Sequence, residues 1–293
     1  MSFLKGSSSV FVFQIKSAPD FQVMLAAGKR SFSERESFTR IGSLEHEPDG
    51  LTVGELLPLG FRVDLKKAPA KLVKIQLAQK VEEIKAQGRK VSAQHKRELK
   101  EAIVEELQRQ ALPSIQSADL VFDGARLYVF GSAAMADRIV RIVHEAGGEL
   151  EPVTVSESST VLKLYSIVMD GYRRADMADG NGYLLIADRV SLLDTMGMST
   201  ATTNPAIAQA EVRENPDEYA VTQCLIEVRT DPASSGEDRI IGHARVKLPT
   251  SVGSGITLAI KPPVSEGADD DAKILDRFAG FKRIFEILEK ALA

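Results

Sequence analysis

PAKLVKIQLAQKVEEIKAQGRKVSAQHKRELKEAIVEELQRQALP, residues 69–113, reads as two helices and a turn. Pro69 suits a helix N-terminus, where its missing N–H costs nothing. Val73, Leu77, Val81 and Ile84 then recur at helical spacing and form one apolar stripe. Gly88 interrupts the run, and Ser92 is placed to cap a second helix. That helix carries Leu99, Ile103 and Leu107 on one side and ends before Pro113. The pattern predicts a helical hairpin over roughly 69–112.

The same region holds most of the positive charge. From Arg62 to Lys100 there are twelve Lys/Arg against four acids, a surplus of +8, so the rest of a chain of net charge −4 carries −12. A basic element on an acidic protein points to a polyanion at one surface, with the remainder repelling it. On ideal helices Lys71, Lys74 and Lys85 share a sector of about 60°. Lys96, Arg97 and Lys100 lie beside the second apolar stripe, Glu98, Glu101 and Glu105 lie opposite, and Arg89 and Lys90 sit at the turn. The candidate phosphate contacts are therefore Lys71, Lys74, Lys85, Arg89, Lys90, Lys96, Arg97 and Lys100. No aromatic residue lies between Lys66 and Ala118, which disfavours base stacking on this element and favours sequence-independent backbone contact.

Outward from the hairpin, strands and helices mix without a βαβ rhythm, which predicts an α+β fold with mixed or antiparallel sheets. Val10–Ile15 and Phe61–Lys66 alternate as strands, and Asp123-Gly124 joins two apolar runs as a β-hairpin. Pro19 opens a helix to about Lys29, and residues 38–50 read as a loop with a Pro-Asp-Gly turn. Ala133–Glu145 reads as a helix and Leu150–Val155 as a strand. Ser159–Arg173 fits a helix or a strand followed by a helix, and Tyr183–Ala187 a strand. Met196–Ala208 reads as irregular, Tyr219–Thr230 and Arg239–Leu248 as strands, and Pro262–Asp271 as an acidic linker. Ala272–Ala293 is amphipathic, with Ile274, Leu275, Phe278, Phe281, Ile284, Phe285, Leu288 and Leu292 apolar, and is expected to be a core helix. The expected organisation is a central α+β domain of residues 1–66 plus 114–187, a basic tip of 67–113, and a C-terminal α+β domain of 188–293.

A single cysteine, Cys224, excludes an intrachain disulfide and fits a reducing compartment; it reads as a small buried hydrophobe. No apolar run approaches the roughly 20 residues of a membrane span. A cytoplasmic, nucleoid-associated protein is expected.

Gln87–Pro113 (QGRKVSAQHKRELKEAIVEELQRQALP) resembles the matching stretch of the bacterial recombination-associated RdgC family. The likeness rests on the Gly88-Arg89-Lys90-Val91 turn, the Lys96-Arg97-Glu98-Leu99-Lys100 helix and the Leu112-Pro113 ending. Phe3-Leu4-Lys5, Ile41-Gly42 and the Asp123-Gly124 hairpin are in register with it, and the likeness is strong over 60–155 and faint beyond Asp188. The resemblance implies a ring-shaped homodimer whose positive hole takes double-stranded DNA with little sequence preference. It also implies restraint of a RecA-type recombinase, and no enzymatic activity. Family members follow Leu-Pro with a basic residue and a nearby aromatic that helps close the ring. Here Ser114, Ile115 and Gln116 occupy that dimer-interface position, Leu44 stands near the family's Trp position, and the chain has no tryptophan.

Other constellations are weaker. His46, His95, His144 and His243 have no metal-ligand spacing, so neither a metal nor another cofactor is expected. Gly253 and Gly255 lack the Lys-Ser/Thr of a phosphate loop, and Gly131-Ser132 reads as an ordinary strand-to-helix turn. Two alternatives to a DNA binder stay open. One is a metal-dependent nuclease drawing on Asp170, Asp176, Asp179 or Asp269-Asp270-Asp271; the other is a scaffold whose basic hairpin docks an acidic protein.

Overall fold

The computed structural model describes residues 8–26, 33–41, 52–153, 166–177, 180–230, 239–247, 256–259 and 269–292. The Pro-Asp-Gly turn at 48–50, Leu44, His46, Asp179, Gly253, Gly255 and most of the acidic linker lie outside them.

The fold is α+β, and every strand pairing among the described residues is antiparallel. The first half of the sheet is built from β1 (Ser8–Ser17), β2 (Glu34–Arg40), β3 (Leu57–Leu65), β4 (Ser114–Phe122), β5 (Arg126–Phe130) and β6 (Glu149–Pro152). The second half comprises β7 (Tyr172–Met177), β8 (Gly180–Asp194), β9 (Ser199–Thr202), β10 (Tyr219–Thr230), β11 (Arg239–Lys247) and β12 (Ile256–Ala259). They form one sheet in the order β2-β3-β4-β5-β1-β12-β11-β10-β8-β7, with β6 on β1 and β9 on β8. β1 is its hub. One edge carries β5; the other carries β12 at Ser8–Val10 and β6 from Phe13 to Ser17.

The first half is buried on both faces, which is why β4 and β5 read as nearly continuous apolar runs. α1 (Phe21–Ala26) and α4 (Ala133–Glu145) cover one face, packing Met24, Met135, Ile139 and Val143 on Leu59, Phe61, Leu120 and Val129. The opposite face, with Val10, Val12, Val121, Tyr128 and Phe130, meets α6 (Asp270–Leu292). Tyr128 stands edge-on to Phe278 at 5.0 Å, and Phe130 to Phe281 at 4.8 Å. The same helix also packs on the second half. A Cβ added at Gly182 of β8 would lie 2.7 Å from the side chain of Ile287, so this strand position admits no side chain. α5 (Pro205–Glu214) adds Ala208 and Val212 to that core, as do Ile167 and Val168 from a helical turn at 166–170.

Two ion pairs fasten α6 to the β4–β5 turn. Arg126 donates both ends of its guanidinium to Glu289, at 2.9 and 3.1 Å, and Lys282 Nζ lies 3.0 Å from Asp123 Oδ2. Burial pushes the Asp123 carboxyl up. Hydrogen bonds from the Arg126 and Ala125 amides, with the Lys282 ammonium, outweigh it and hold Asp123 below the ordinary 3.8. A carboxyl with a lowered folded-state pKa contributes stability that is complete above its unfolded pKa and is lost as pH falls through the folded value. Asp123→Asn is therefore expected to flatten the fall of Tm below about pH 4 relative to the parent chain, measured by thermal unfolding across an acid series.

Four local readings change in the structure. Residues 38–40 of the expected loop belong to β2, where Phe38 stacks 4.8 Å from Phe61. The polar sequence of this edge strand hides it: Glu36 is buried because Arg138 of α4 donates to it at 2.8 Å and pairs also with Glu34. The irregular 196–208 segment contains β9 and the start of α5, which Asn204 caps by accepting from the Ala206 amide. After the turn at 166–170 the chain enters β7 at Tyr172. Leu275, placed on the apolar side of α6, is exposed, whereas Ile287 and Ala291 are buried.

Candidate nucleic-acid interface

α2 (Ala70–Ala86) and α3 (Ala93–Gln110) form the predicted hairpin, inserted between the paired strands β3 and β4. Gly88 takes φ +76° at the turn, a conformation other residues adopt at a cost, and Ser92 Oγ accepts from the His95 amide at 3.1 Å. At about 1.5 Å per residue each helix is about 26 Å long. The hairpin has its own small core of Val73, Ile103 and Leu107, with Ala68, Leu77 and Val104 packed beside it. Because so few side chains hold it, Ile103→Ala is expected to cost about 3 kcal/mol locally. Amide exchange should show protection lost in α2 and α3 and kept in β4 and β5.

At its root, Lys66 Nζ reaches the Arg109 carbonyl at 3.5 Å, and Ser114 Oγ donates to the Leu65 carbonyl at 3.2 Å. These contacts fix where the two helices leave the sheet.

A groove of about 770 Å³ runs between the helices. Its floor is apolar, with Ala68, Ala70, Val73, Leu77, Ala93 and Val104; Lys67, Lys74, Lys96, Arg97 and Lys100 stand along it together with Gln108. No acid lines it. The acids of α3 face elsewhere, where Glu98 accepts from Gln94 and Glu105 pairs with Arg109 at 2.5 Å. Helical phase explains the sorting. Lys96 and Lys100 are one turn apart, about 6 Å along the axis, and Arg97 flanks them. Five cations without a lining acid make a concentrated positive field over a low-dielectric floor, suited to a row of phosphates or carboxylates.

Of the eight residues picked from the sequence, the structure brings Lys74, Lys96, Arg97 and Lys100 to this groove. Lys71 and Lys85 are exposed on α2 but do not line it, and Arg89 and Lys90 are exposed at the distal turn. Lys67 belongs to the groove and was not among the eight. Its position just before the Pro69 start of α2 was the available signal.

Ser114, Ile115 and Gln116 open β4, opposite Leu65, Asp64 and Val63 of β3. All three are exposed. Ile115 is 59% exposed, and neighbouring Leu112 is 91% exposed. Among the described residues no cluster of three or more His, Cys, Asp or Glu is arranged to hold a metal ion. Cys224 is buried in the core, and burial pushes its thiol up to about 12. Among the described residues no helix is long and apolar enough to cross a membrane.

Residues 47–164, which include the hairpin and the strands that carry it, match the family model described as "Putative exonuclease, RdgC". No curated protein matches the chain.

Proposed function

As an RdgC-like protein, this chain is, we propose, a non-enzymatic binder of double-stranded DNA that works as a homodimer in the control of recombination. The observation that carries the reading is the α2–α3 groove, where five cations from both helices and the segment between β3 and α2 converge with no acid among the described residues that line it. Side chains of this kind neutralise phosphates without reading bases, so binding is sequence-independent and strongly salt-dependent. The acidic remainder of the chain keeps DNA off other surfaces. Lys71, Lys85, Arg89 and Lys90 extend the positive surface along the outside and tip of the hairpin.

Exposed Ile115 and Leu112, with Ser114 and Gln116, are the proposed contact with a second copy. Two hairpins on one duplex act as a bivalent clamp, which can close as a ring around it. Restraint of a RecA-type recombinase follows from occupying the duplex it must reach, and the protein accordingly sits in the cytoplasm on the nucleoid.

A salt-titrated duplex-binding isotherm with mass measurement of the free and bound species tests the reading. A dimer on DNA supports it; a monomer without affinity for DNA overturns it.

Two further readings have an observation behind them. The family description favours nuclease action, and release of product from linear or supercoiled DNA with Mg²⁺ or Mn²⁺ would replace the binder by that activity. The apolar floor of the groove favours an acidic protein segment with apolar anchors, which would compete with duplex for the hairpin.

A further inference from the structure

Met177 at the end of β7, the β4–β5 turn and the C-terminal part of α6 enclose a cleft of about 480 Å³. It lies at the seam between the two halves of the sheet, and its size is that of a small-molecule site. Ser114 opens β4 at the root of the hairpin and Asp123 follows the other end of that strand, about 30 Å away at about 3.4 Å per residue. The cleft is therefore separate from the α2–α3 groove.

Three polar groups converge there. Tyr128 is 1% exposed, and its hydroxyl has no hydrogen-bond partner among the described residues, whereas buried polar groups are ordinarily paired. Edge-on contacts with Phe278 and Phe285 fix the ring. The charged groups that act on the hydroxyl, Asp123, Arg126 and Glu286, all line the cleft, so the hydroxyl is aimed into it. Burial raises its pKa and keeps it a donor. Arg126 and Asp123 are taken by Glu289 and Lys282. The Glu286 carboxylate is in no ion pair among the described residues. Lys290, exposed at the rim, donates to the Asp176 backbone carbonyl at 3.3 Å rather than to an acid. Four cations against three acids leave the lining net positive.

A ligand hydroxyl both accepts and donates, so a single one satisfies Tyr128 and Glu286 together. The compact Lys290 ammonium suits a phosphate. Glu286 and Lys290 are one turn apart on the same face of α6, about 6 Å along the axis, a distance that one small sugar phosphate spans. We propose that this cleft binds a small hydroxylated phosphate ester, with a hydroxyl between Tyr128 and Glu286 and the phosphate against Lys290. The site stands whether or not the α2–α3 groove takes duplex.

Isothermal titration calorimetry of the full chain with ribose 5-phosphate, ribose, inorganic phosphate and AMP tests it. Ribose 5-phosphate should bind saturably, and more tightly than ribose or inorganic phosphate. AMP binding more tightly still identifies a nucleotide as the source of the ester; AMP binding more weakly identifies a sugar phosphate. Tyr128→Phe, which deletes only the hydroxyl, should weaken binding about fivefold while the Tm of the free chain stays at or above that of the parent. Glu286→Gln should weaken it about tenfold, and Lys290→Gln should bring ribose 5-phosphate down to the affinity of ribose. The variant K96E/R97E/K100E, altered only in the groove, should bind the probe as the parent does. Absence of saturable heat with ribose 5-phosphate and AMP at millimolar concentration overturns the proposal and leaves the hydroxyl to water. Equal affinity in the parent, Tyr128→Phe and Glu286→Gln also overturns it, as does inorganic phosphate binding as tightly as its ester. Loss of binding in the groove variant would place the probe on the hairpin and overturn it as well.

Discussion

Replacing Lys96, Arg97 and Lys100 together by Glu is expected to abolish duplex binding at about 0.1 M salt, where charges are screened beyond about 10 Å. These three side chains sit on one face of α3 and line the groove from one side, with Lys67 and Lys74 completing it. If all five engage phosphates, log affinity falls against log salt with a slope of about −4.5; two hairpins on one duplex double it to about −9. The reversal removes three contacts and puts three carboxylates beside the remaining two lysines, so the residual slope should be shallower than about −2 per hairpin, or about −4 for two hairpins on one duplex. The substituted positions are exposed and lie off the small Val73–Ile103–Leu107 core, so the fold should persist. Fluorescence anisotropy with a labelled random-sequence duplex across a salt series makes the measurement. Reversing Arg89 and Lys90 instead separates groove from tip. An equal loss there, with the α3 variant unaffected, would move the interface to the distal turn.

The second large effect concerns the helix that joins the two halves of the sheet. Phe281→Ala should cost about 3–5 kcal/mol, the range for a buried Phe left as a cavity. Its ring is 2% exposed and packs 4.8 Å from Phe130 on the first half of the sheet. On the same helix, Ile287 presses on Gly182 of the second half. Against a typical total of about 5–15 kcal/mol this is a large share, and it should lower Tm by roughly 10 °C. Because α6 is shared, amide protection should fall in β5 and β8 together. Loss confined to β7–β11 would show that the halves are stable independently. The Arg126–Glu289 pair is a useful comparison: it is partly solvent-exposed, and Glu289→Ala should cost only about 1 kcal/mol.

Where one rule governed a segment, sequence reading reached the right structure. The α2–α3 hairpin followed from apolar residues at helical spacing, Gly88 and Ser92, all of which act locally. The β4–β5 hairpin followed from Asp123-Gly124, whose carboxylate accepts from the two amides that close the turn. Reading failed where a distant partner rewrote the local signal. β2 looks polar because its acid is neutralised by Arg138, a hundred residues away in the chain. β9 and α5 are too short for periodicity to reveal and are held by packing on β8.

For the candidate interface the sequence by itself determined that positive charge is concentrated on two helices and that the acids of α3 fall on another side. Both follow from composition and a 100° step per residue. Only the tertiary structure decided which cations share a groove, since that depends on how α2 rolls against α3 around Val73, Ile103 and Leu107. It drew in Lys67 and left Lys71 and Lys85 outside, although all three contribute equally to the local charge. It also decided that β7, β8 and β10 bring Tyr183 between Arg174 and Arg229. Strand register is set by long-range pairing and by which face the core claims, so residues far apart in sequence become neighbours that no local pattern announces.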